Sequence, residues 1–405
     1  MPRFPQRSVS ASELRPAVFT RLIPIIKQLE VPPIALHIGD TFVPPPAAAM
    51  LDQVVPKLPE NAYLYSAPNG LPEVRSAFCE RWTRLGLQGL DIDRVHVTNG
   101  ATGGVSAALH AWVHPGDEVI VLSPFWPLVK GMIKGMGAVP VEVPFYPEMR
   151  AGRSVAEVVA PYITERTVAL YVCSPNNPDG TVLSLSQIQE LAALCVKHDL
   201  WVISDEAYVD YAFAPNKHHF IADQPGMRER TASVYTASKS YALAGIRIGF
   251  LVGEPAWLET ARRVTTHCVY NVPMACQLSA KAAIETGDSW VEQTRDLYQQ
   301  GAEAVAARLQ ANFYPAQGGG YVFVDLREEL DGQPMLDYLA DLLHEGVSIS
   351  PGAAFGEAFE TWVRVCYMSV PLDRLEQAID RLNRSFDRLR RREPLRHDGP
   401  RTLTL

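Results

Sequence analysis

Two cationic side chains eight residues apart, Lys239 and Arg247, are the strongest candidates for chemistry in this sequence. An apolar, β-branched run leads into Ser238 and Lys239, and a second strand-like run follows Arg247 to Val252. We therefore predict that Lys239 lies on a loop at the end of a strand. A lysine there is either a solvated surface charge, as most lysines are, or an amine held for reaction with a carbonyl. The arginine presents a planar fork of donors that suits a phosphate.

An acidic pair ends another predicted strand. Residues 201–204 are mostly apolar, and Asp205 and Glu206 follow them directly. A carboxylate at the end of a buried strand costs free energy unless a cation compensates it. Asp205 therefore faces a cationic ligand, or the two acids mark a solvated end of the strand.

A glycine-rich turn offers a place for an anion. Residues 95–99 are predicted to form a strand, and Gly100, Ala101 and Thr102 then begin a turn and a helix that extends to about Trp112. Unpaired N–H groups at a helix N-terminus favour a phosphate. The turn lacks the Gly-Lys-Ser/Thr of a nucleotide P-loop. No GxGxxG follows a first strand, which argues against a nucleotide-dependent dehydrogenase.

The stretch 236–249, Thr-Ala-Ser-Lys-Ser-Tyr-Ala-Leu-Ala-Gly-Ile-Arg-Ile-Gly, resembles the lysine motif of one enzyme family. This family is the class I and II aminotransferases, the aspartate aminotransferase-like pyridoxal-phosphate enzymes of fold type I. The resemblance implies that Lys239 forms a Schiff base with pyridoxal 5′-phosphate, that Arg247 binds its phosphate and that Ser238 also contacts the cofactor. It implies further that Asp205 holds the protonated pyridine nitrogen, which makes the ring an electron sink.

Other motifs occur in the order that this family keeps. The resemblance implies a phosphate loop at Gly100, Ala101 and Thr102, and an aromatic ring stacked on the cofactor at Trp126. Asn177, within Pro-Asn-Asn-Pro-Asp-Gly, and Tyr208 match donors to the phenolate oxygen of the cofactor. That segment departs from the Asn-Pro-x-Asn-Pro-Thr-Gly of the family at Ser174 and Asp179.

The resemblance also implies a substrate site. Arg364 matches the arginine that binds the α-carboxylate, with Gly39 and Asn177 beside the substrate. Tyr65 matches a tyrosine that reaches the cofactor phosphate of the other subunit, which implies a homodimer. Four aromatic residues are candidates for the side-chain pocket and favour an apolar or aromatic substrate: Tyr63, Tyr270, Tyr321 and Phe355. No matched position supplies a second arginine for a dicarboxylate.

The predicted fold class is α/β. Strands near residues 95, 118, 168, 201, 233 and 247 alternate with helices or long crossovers, which indicates a doubly wound, mostly parallel sheet. We expect a large cofactor-binding domain at 49–285, a smaller α+β domain formed by 1–48 and 286–395, and a frayed tail at 396–405. Residues 279–311 have helical spacing, with possible breaks at Gly287 and Gly301.

Composition excludes several classes of function. The net charge of −8 over 405 residues argues against nucleic acid as a partner. The N-terminus lacks the apolar core of a signal peptide, and no apolar run approaches membrane-spanning length, so we expect a cytoplasmic protein without membrane partners. The six cysteines have no metal-type spacing, and no metal site is predicted.

The resemblance implies a pyridoxal-phosphate-dependent aminotransferase that acts on an α-amino acid and a 2-keto acid. The same residues could support a lyase, a decarboxylase or a cyclising enzyme, because the bond that breaks depends on an angle that sequence does not show. A ligand-sensing domain of a transcription regulator would need a DNA-binding region ahead of the fold, for which the residues before about position 35 leave no room.

Overall fold

The computed structural model describes residues 8–12, 14 and 18–396. Its strands are β1 (Ile34–Ala35), β2 (Val95–Asn99), β3 (Glu118–Ser123), β4 (Val139–Pro144), β5 (Thr167–Cys173), β6 (Trp201–Asp205), β7 (Thr231–Thr236), β8 (Ile248–Val252), β9 (Asn312–Phe313), β10 (Tyr321–Asp325), β11 (Val347–Ser348), β12 (Ser350–Pro351) and β13 (Trp362–Cys366).

Helices connect and cover these strands. The α-helices are α1 (Val9–Ser12), α2 (Ile23–Ile26), α3 (Leu51–Val54), α4 (Pro72–Arg84), α5 (Gly100–Trp112), α6 (Leu128–Gly135), α7 (Tyr146–Arg150), α8 (Val155–Val159), α9 (Leu185–Lys197), α10 (Ala237–Ser240), α11 (Pro255–Cys268), α12 (Met274–Thr286), α13 (Asp288–Arg308), α14 (Arg327–Leu330), α15 (Met335–His344) and α16 (Leu372–Arg390). Within the described ranges, no helix combines the length and the apolar character that a membrane crossing needs.

A seven-stranded sheet is the centre of the larger part of the molecule. Its order is β2-β8-β7-β6-β5-β3-β4, and only β8 runs antiparallel to its neighbours. Side chains of α5 and α11 pack on one face, and those of α8 and α9 pack on the other. This arrangement confirms the predicted doubly wound, mostly parallel α/β sheet. The edge strand β4 was not among the predicted strands.

A second core combines segments from both ends of the chain. Strand β1 pairs in parallel with β11, and a four-stranded antiparallel sheet has the order β12-β13-β10-β9. Leu36, Tyr338, Val363 and Phe386 belong to one buried cluster that joins these strands to helices α13, α15 and α16. The predicted domain boundaries after residues 48 and 285 stay predictions. Of the predicted frayed tail, residues 397–405 lie outside the described residues.

Two local predictions were wrong. Lys239 lies in the short helix α10 and not on a loop, because the Thr236 hydroxyl accepts the Ser238 N–H at 3.1 Å and caps a helical turn. Gly287 does separate α12 from α13, but Gly301 lies inside α13. There the helix passes close to Tyr367, whose carbonyl oxygen would be 3.3 Å from an added Cβ, so close packing explains the glycine.

Candidate active site

The predicted site residues gather at one edge of the seven-stranded sheet. Asp205 is the last residue of β6, Lys239 follows β7, Asn177 follows β5, and Trp126 follows β3. Strands β3, β5, β6 and β7 are parallel, so their carboxyl ends meet at the same edge. Crevices beyond these strand ends are where open α/β sheets bind ligands.

Lys239 reaches across to the part of the chain that precedes the large sheet. Its Nζ donates a hydrogen bond to the carbonyl oxygen of Gly39. Burial lowers the pKa of Lys239, and the positive guanidinium groups of Arg364 and Arg247 lower it further, against an opposing effect of Asp40. A lysine with a lowered pKa has a larger neutral fraction and is a better nucleophile and base.

Asp205 is a buried carboxylate. Its side chain accepts hydrogen bonds from the Tyr171 hydroxyl at 2.6 Å and from the Ala207 N–H at 3.1 Å. Among the described residues, no lysine, arginine or histidine forms an ion pair with it, and burial raises the pKa of Asp205 to about 6. Glu206 is buried too and pairs with His218 at 2.8 Å, so neither acid is a solvated strand end.

The start of α5 and Arg247 form a small cradle. Gly100 has φ +69°, and a Cβ added there would lie 3.0 Å from Cζ of Arg247. Arg247 itself has φ +61° and donates from Nη1 to the Ala244 carbonyl oxygen at 2.9 Å and to the Ser238 hydroxyl at 3.4 Å. On the opposite side, a Cβ on Gly249 would lie 2.7 Å from the Ala101 nitrogen. Glycines therefore keep the helix N-terminus and the guanidinium open to an anion.

Arg364 enters the site from β13. Its Nη1 donates to Oδ1 of Asn177 at 3.0 Å, and its Nη2 donates to the His37 carbonyl oxygen at 2.9 Å. The guanidinium lies over the Tyr321 ring, 4.3 Å from its centroid, and near the Phe355 ring at 5.0 Å. Its Nε is buried and has no hydrogen-bond partner in the described part of the chain, so Arg364 can still donate to an anionic group.

Tyr208, which follows β6 of the seven-stranded sheet, contacts Tyr321, the first residue of β10 in the four-stranded sheet. Their hydroxyl groups lie 2.7 Å apart, and a Cβ on Gly39 would come within 2.7 Å of the Tyr321 hydroxyl. Trp126 is half-buried beside the end of β3. The structure thus brings Tyr208, Tyr321 and Phe355 to the vicinity of Arg364.

Three predicted residues lie on the surface of the chain. Tyr63 and Tyr65 are 92% and 82% exposed, and Tyr270 is 44% exposed. The Tyr65 and Tyr270 rings are 4.6 Å apart. Among the described residues, no hydrogen bond or ring contact joins these tyrosines to Lys239, and the prediction that Tyr65 reaches a partner subunit stays a prediction.

Sequence reasoning missed several contacts that shape the site. Tyr171 belongs to an apolar strand run, and nothing in that run distinguishes it from a core tyrosine. The His37 carbonyl oxygen that binds Arg364 is a backbone group, which no residue pattern identifies. The Phe125 N–H donates to the Phe355 carbonyl oxygen at 3.0 Å and ties the segment after β3 to the segment that carries Phe355.

Three observations test whether these residues fit a pyridine ring with a phosphate and an aldehyde. The Gly100 cradle would be closed by a Cβ, Asp205 is buried without an ion-pair partner among the described residues, and Arg364 keeps a buried Nε without an acceptor. A phosphate, a ring cation and a carboxylate would each match one of these features. The residues therefore fit pyridoxal 5′-phosphate together with an amino acid.

Comparisons with known proteins agree with this geometry. A family model described as aminotransferase class I and II matches residues 39–382. The chain is 34% identical over 335 residues to arginine–pyruvate transaminase of Pseudomonas aeruginosa, which covers 82% of this chain and 84% of that protein. It is 34% identical over 323 residues to aspartate aminotransferase of Pyrococcus abyssi, with coverages of 77% and 81%. A solved structure of a single mutant of Thermus thermophilus aspartate aminotransferase matches with a TM-score of 0.86 and 28% identity, covering 94% of this chain and 100% of that one.

Proposed function

This chain belongs to the class I and II aminotransferases and is a transaminase, and from that premise we propose how its own residues carry out the reaction. We propose that Lys239 holds pyridoxal 5′-phosphate covalently and that the substrates are an α-amino acid and a 2-keto acid. The observation that carries the proposal is the position of Lys239. It follows β7 at the carboxyl edge of the sheet, where its amine donates to the Gly39 carbonyl oxygen, and the adjacent Ser238 hydroxyl accepts from Arg247.

Lys239 has two tasks in this proposal. When bound, pyridoxal phosphate supplies an aldehyde carbon for the amino group and a ring that withdraws electrons from the substrate Cα. Lys239 first anchors the cofactor through Nζ. Once Nζ is free, it would take a proton from the substrate Cα as a general base, and its lowered pKa favours the neutral form that this step requires.

The remaining residues orient the cofactor. Gly100, Ala101 and Thr102 at the start of α5 offer N–H groups to the phosphate, and Arg247 and Ser238 border the same cradle. Asp205 would face the ring nitrogen as a carboxylate, and Trp126 would support the face of the ring. Asn177 and Tyr208 would donate to the phenolate oxygen.

Arg364 selects the substrate carboxylate. Its fork is already held by Asn177 and the His37 carbonyl oxygen, so little conformational freedom is lost when a carboxylate binds. Gly39 leaves room beside the fork for that group. The related proteins are named for arginine and for aspartate, so their names do not single out a side chain for this substrate.

A homodimer is part of the proposal. Large apolar side chains are exposed in two segments, residues 50–65 and 269–270. The rings of Tyr65 and Tyr270 bring these segments into contact. The exposed residues are Met50, Leu51, Val55, Tyr63, Leu64, Tyr65, Val269 and Tyr270. Contiguous exposed apolar surface of this kind is typical of an interface, and a second copy of the chain would cover it and receive Tyr65. The cytoplasmic location of the protein stays a prediction and forms part of this proposal.

Borohydride reduction tests the anchor. The protein is loaded with pyridoxal phosphate, reduced and digested, and the modified peptide is located by mass spectrometry. We expect the pyridoxyl group on Lys239 and none on a K239A variant. A label on another lysine would refute the assignment.

A panel of amino acids tests the reaction. Single turnovers without a keto acid should yield a keto acid and a shift of the cofactor absorption band, and the amino acid with the fastest turnover identifies the side-chain class. Release of ammonia, carbon dioxide or an alkene instead would favour the lyase or decarboxylase alternative.

A further inference from the structure

Tyr171 lies on β5, the strand next to β6, and its side chain contacts Asp205 at the end of β6. Strands β5 and β6 run in parallel with Cys173 opposite Asp205 and Tyr171 opposite Ile203. Tyr171 and Cys173 are two residues apart and therefore face the same side of the sheet, so the tyrosine side chain extends along it toward the carboxyl edge. Its hydroxyl oxygen lies 2.6 Å from Oδ2 of Asp205, and only 1% of the residue is exposed.

The hydrogen bonds of Asp205 leave acceptor positions for further donors. An ionised carboxylate has about four acceptor positions. The Tyr171 hydroxyl occupies one on Oδ2, and the Ala207 N–H occupies one on Oδ1. The neighbouring acid, Glu206, accepts from the Ser204 hydroxyl at 2.7 Å, and its Oε2 lies 2.8 Å from Nε2 of His218. No other donor among the described residues bonds the Asp205 side chain, so its remaining acceptor positions can serve a ligand.

Tyr171 acts on Asp205 only as a donor. Burial raises the pKa of the Tyr171 phenol well above its usual value, so the hydroxyl keeps its proton at any working pH. A 2.6 Å distance is typical of an O–H donor to a charged oxygen, which is a stronger hydrogen bond than one between neutral groups.

We propose that Tyr171 is a positioning residue that fixes the Asp205 carboxylate in its ionised form, so that the proton shared with the ring nitrogen of the cofactor resides on the nitrogen. The inference rests on the proposed use of pyridoxal phosphate. Two arrangements of that single proton compete: a carboxylate beside a protonated ring nitrogen, and a neutral carboxylic acid beside a neutral ring nitrogen. The hydrogen bond from Tyr171 stabilises the first arrangement more, because a donor binds a charged oxygen more strongly than a neutral one.

The Tyr171 hydrogen bond is one of several opposing influences on the Asp205 carboxyl. Burial and Glu206 raise the pKa of Asp205, the Tyr171 hydroxyl and the Ala207 N–H lower it, and the net pKa is about 6. Without the Tyr171 hydroxyl, the buried carboxylate would lose one short hydrogen bond in surroundings of low polarity. The proton would then move from the ring nitrogen toward the carboxylate, and the ring would withdraw electrons less strongly.

The experiment compares Y171F with the wild-type holoenzyme. Each protein is loaded with pyridoxal phosphate that carries ¹⁵N in the ring, and the nitrogen chemical shift is recorded by NMR. We expect the wild-type shift to be that of a protonated ring and the Y171F shift to move toward that of a neutral ring. The kcat should fall about tenfold, as expected for the loss of a hydrogen bond to a charged group. The substrate KM should change little, because Arg364 is untouched.

Y146F is the matched control. The Tyr146 hydroxyl is also buried, donates to the Cys173 carbonyl oxygen at 2.6 Å and accepts the Cys173 N–H at 3.1 Å. It has no hydrogen bond to Asp205. Y146F should therefore lower the thermal stability at least as much as Y171F does, and leave the ring-nitrogen shift at its wild-type value.

A second variant keeps the test valid if Y171F does not fold. Incorporation of 3-fluorotyrosine at position 171 retains the shape of the side chain and makes the phenol a stronger donor. The ring nitrogen should then be protonated at least as fully as in the wild type. A wild-type ring-nitrogen shift in folded Y171F, or a shift toward the neutral ring with fluorotyrosine, overturns the inference. Failure of the wild-type protein to bind the cofactor at Lys239 would instead overturn the proposed function.

Discussion

Asp205 is an acid that the fold buries without an ion-pair partner among the described residues, and this has a cost in the cofactor-free protein. Burial raises the pKa of Asp205 to about 6 from an ordinary value of 3.8. Between these two pH values the folded apoprotein binds more protons than the unfolded chain, so its free energy of unfolding falls as the pH rises from about 4 to about 7. Asp205 therefore destabilises the apoprotein at neutral pH.

D205N should remove this effect. At pH 7.5 the D205N apoprotein should be more stable than the wild-type apoprotein, by up to about 3 kcal/mol in the free energy of unfolding. The difference should shrink below pH 5, where the wild-type carboxyl is protonated in the folded state. Urea unfolding at several pH values measures this, and the same variant should have almost no transaminase activity.

The holoenzyme is the control for D205N. Bound cofactor gives the carboxylate a cation, so wild-type holoenzyme should exceed D205N holoenzyme in stability at pH 7.5. If D205N and the wild type had parallel pH profiles as apoproteins, the buried-charge explanation would be wrong.

The R364K variant tests whether Arg364 binds the substrate carboxylate. Lysine keeps the charge but loses the fork that Asn177 and the His37 carbonyl oxygen hold in place. We expect kcat/KM for the best amino acid to fall roughly ten- to hundredfold, mainly through KM, with an unchanged dissociation constant for the cofactor. Steady-state kinetics and apoprotein titration measure the two quantities. An unchanged KM would show that the carboxylate binds elsewhere.

The sequence marks single residues as candidates where the chemistry requires a particular side chain within a motif. Lys239, Asp205 and Arg364 occur in segments whose pattern marks them, and the structure places all three in one region. Tyr171 and the His37 carbonyl oxygen were not predictable, because a core tyrosine and a backbone group carry no signature in one sequence. Their roles depend on which strands become neighbours.

Among the secondary-structure elements, the start of α5 is the part most sensitive to substitution. Gly100 has φ +69°, which disfavours any other residue, and a Cβ there would press on the Arg247 guanidinium. G100A should therefore weaken cofactor binding at least tenfold and destabilise the protein by about 1–2 kcal/mol. Apoprotein titration with pyridoxal phosphate and thermal unfolding measure these effects.

G103A is the matched control on the same helix. Gly103 has no positive φ, and an added Cβ would lie 3.5 Å from the Asn99 Cβ, an ordinary contact. Because alanine favours a helix over glycine by about 1 kcal/mol, G103A should be neutral or stabilising and should bind the cofactor normally. Equal losses of cofactor affinity in G100A and G103A would contradict the proposed role of Gly100 in phosphate binding.

Elements in the central sheet could be predicted because buried strands have apolar runs of the right length. The edge strand β4 was missed, since Val139–Pro144 is only partly buried and contains two prolines. Local hydrogen bonding also overrides simple patterns, as the capped turn at Lys239 shows. Gly301 was ambiguous for a further reason, because its close neighbour Tyr367 lies 66 residues further along the chain.

At the scale of the whole molecule, the exposed Tyr65 predicts shared active sites. K239A and Y65A proteins should each be poorly active at limiting cofactor concentration. Mixed and allowed to reassort, they should recover about a quarter of the wild-type activity, because half of the dimers are hybrids with one intact site. The intact site joins Lys239 of one subunit to the tyrosine of the other. No recovery despite verified exchange of subunits would show that Tyr65 acts within its own chain, or not at all.

The burial of Asp205 also has a consequence for the abundance of the protein in a cell. A ligand that binds only the folded state stabilises it in proportion to the logarithm of its concentration, and under the proposed function pyridoxal phosphate would also place a cation beside the buried Asp205 carboxylate. Newly made chains that have not met pyridoxal phosphate are thus the form most exposed to proteases. A cell that runs short of this vitamin derivative would lose the polypeptide itself, and so match the abundance of the enzyme to the supply of its cofactor.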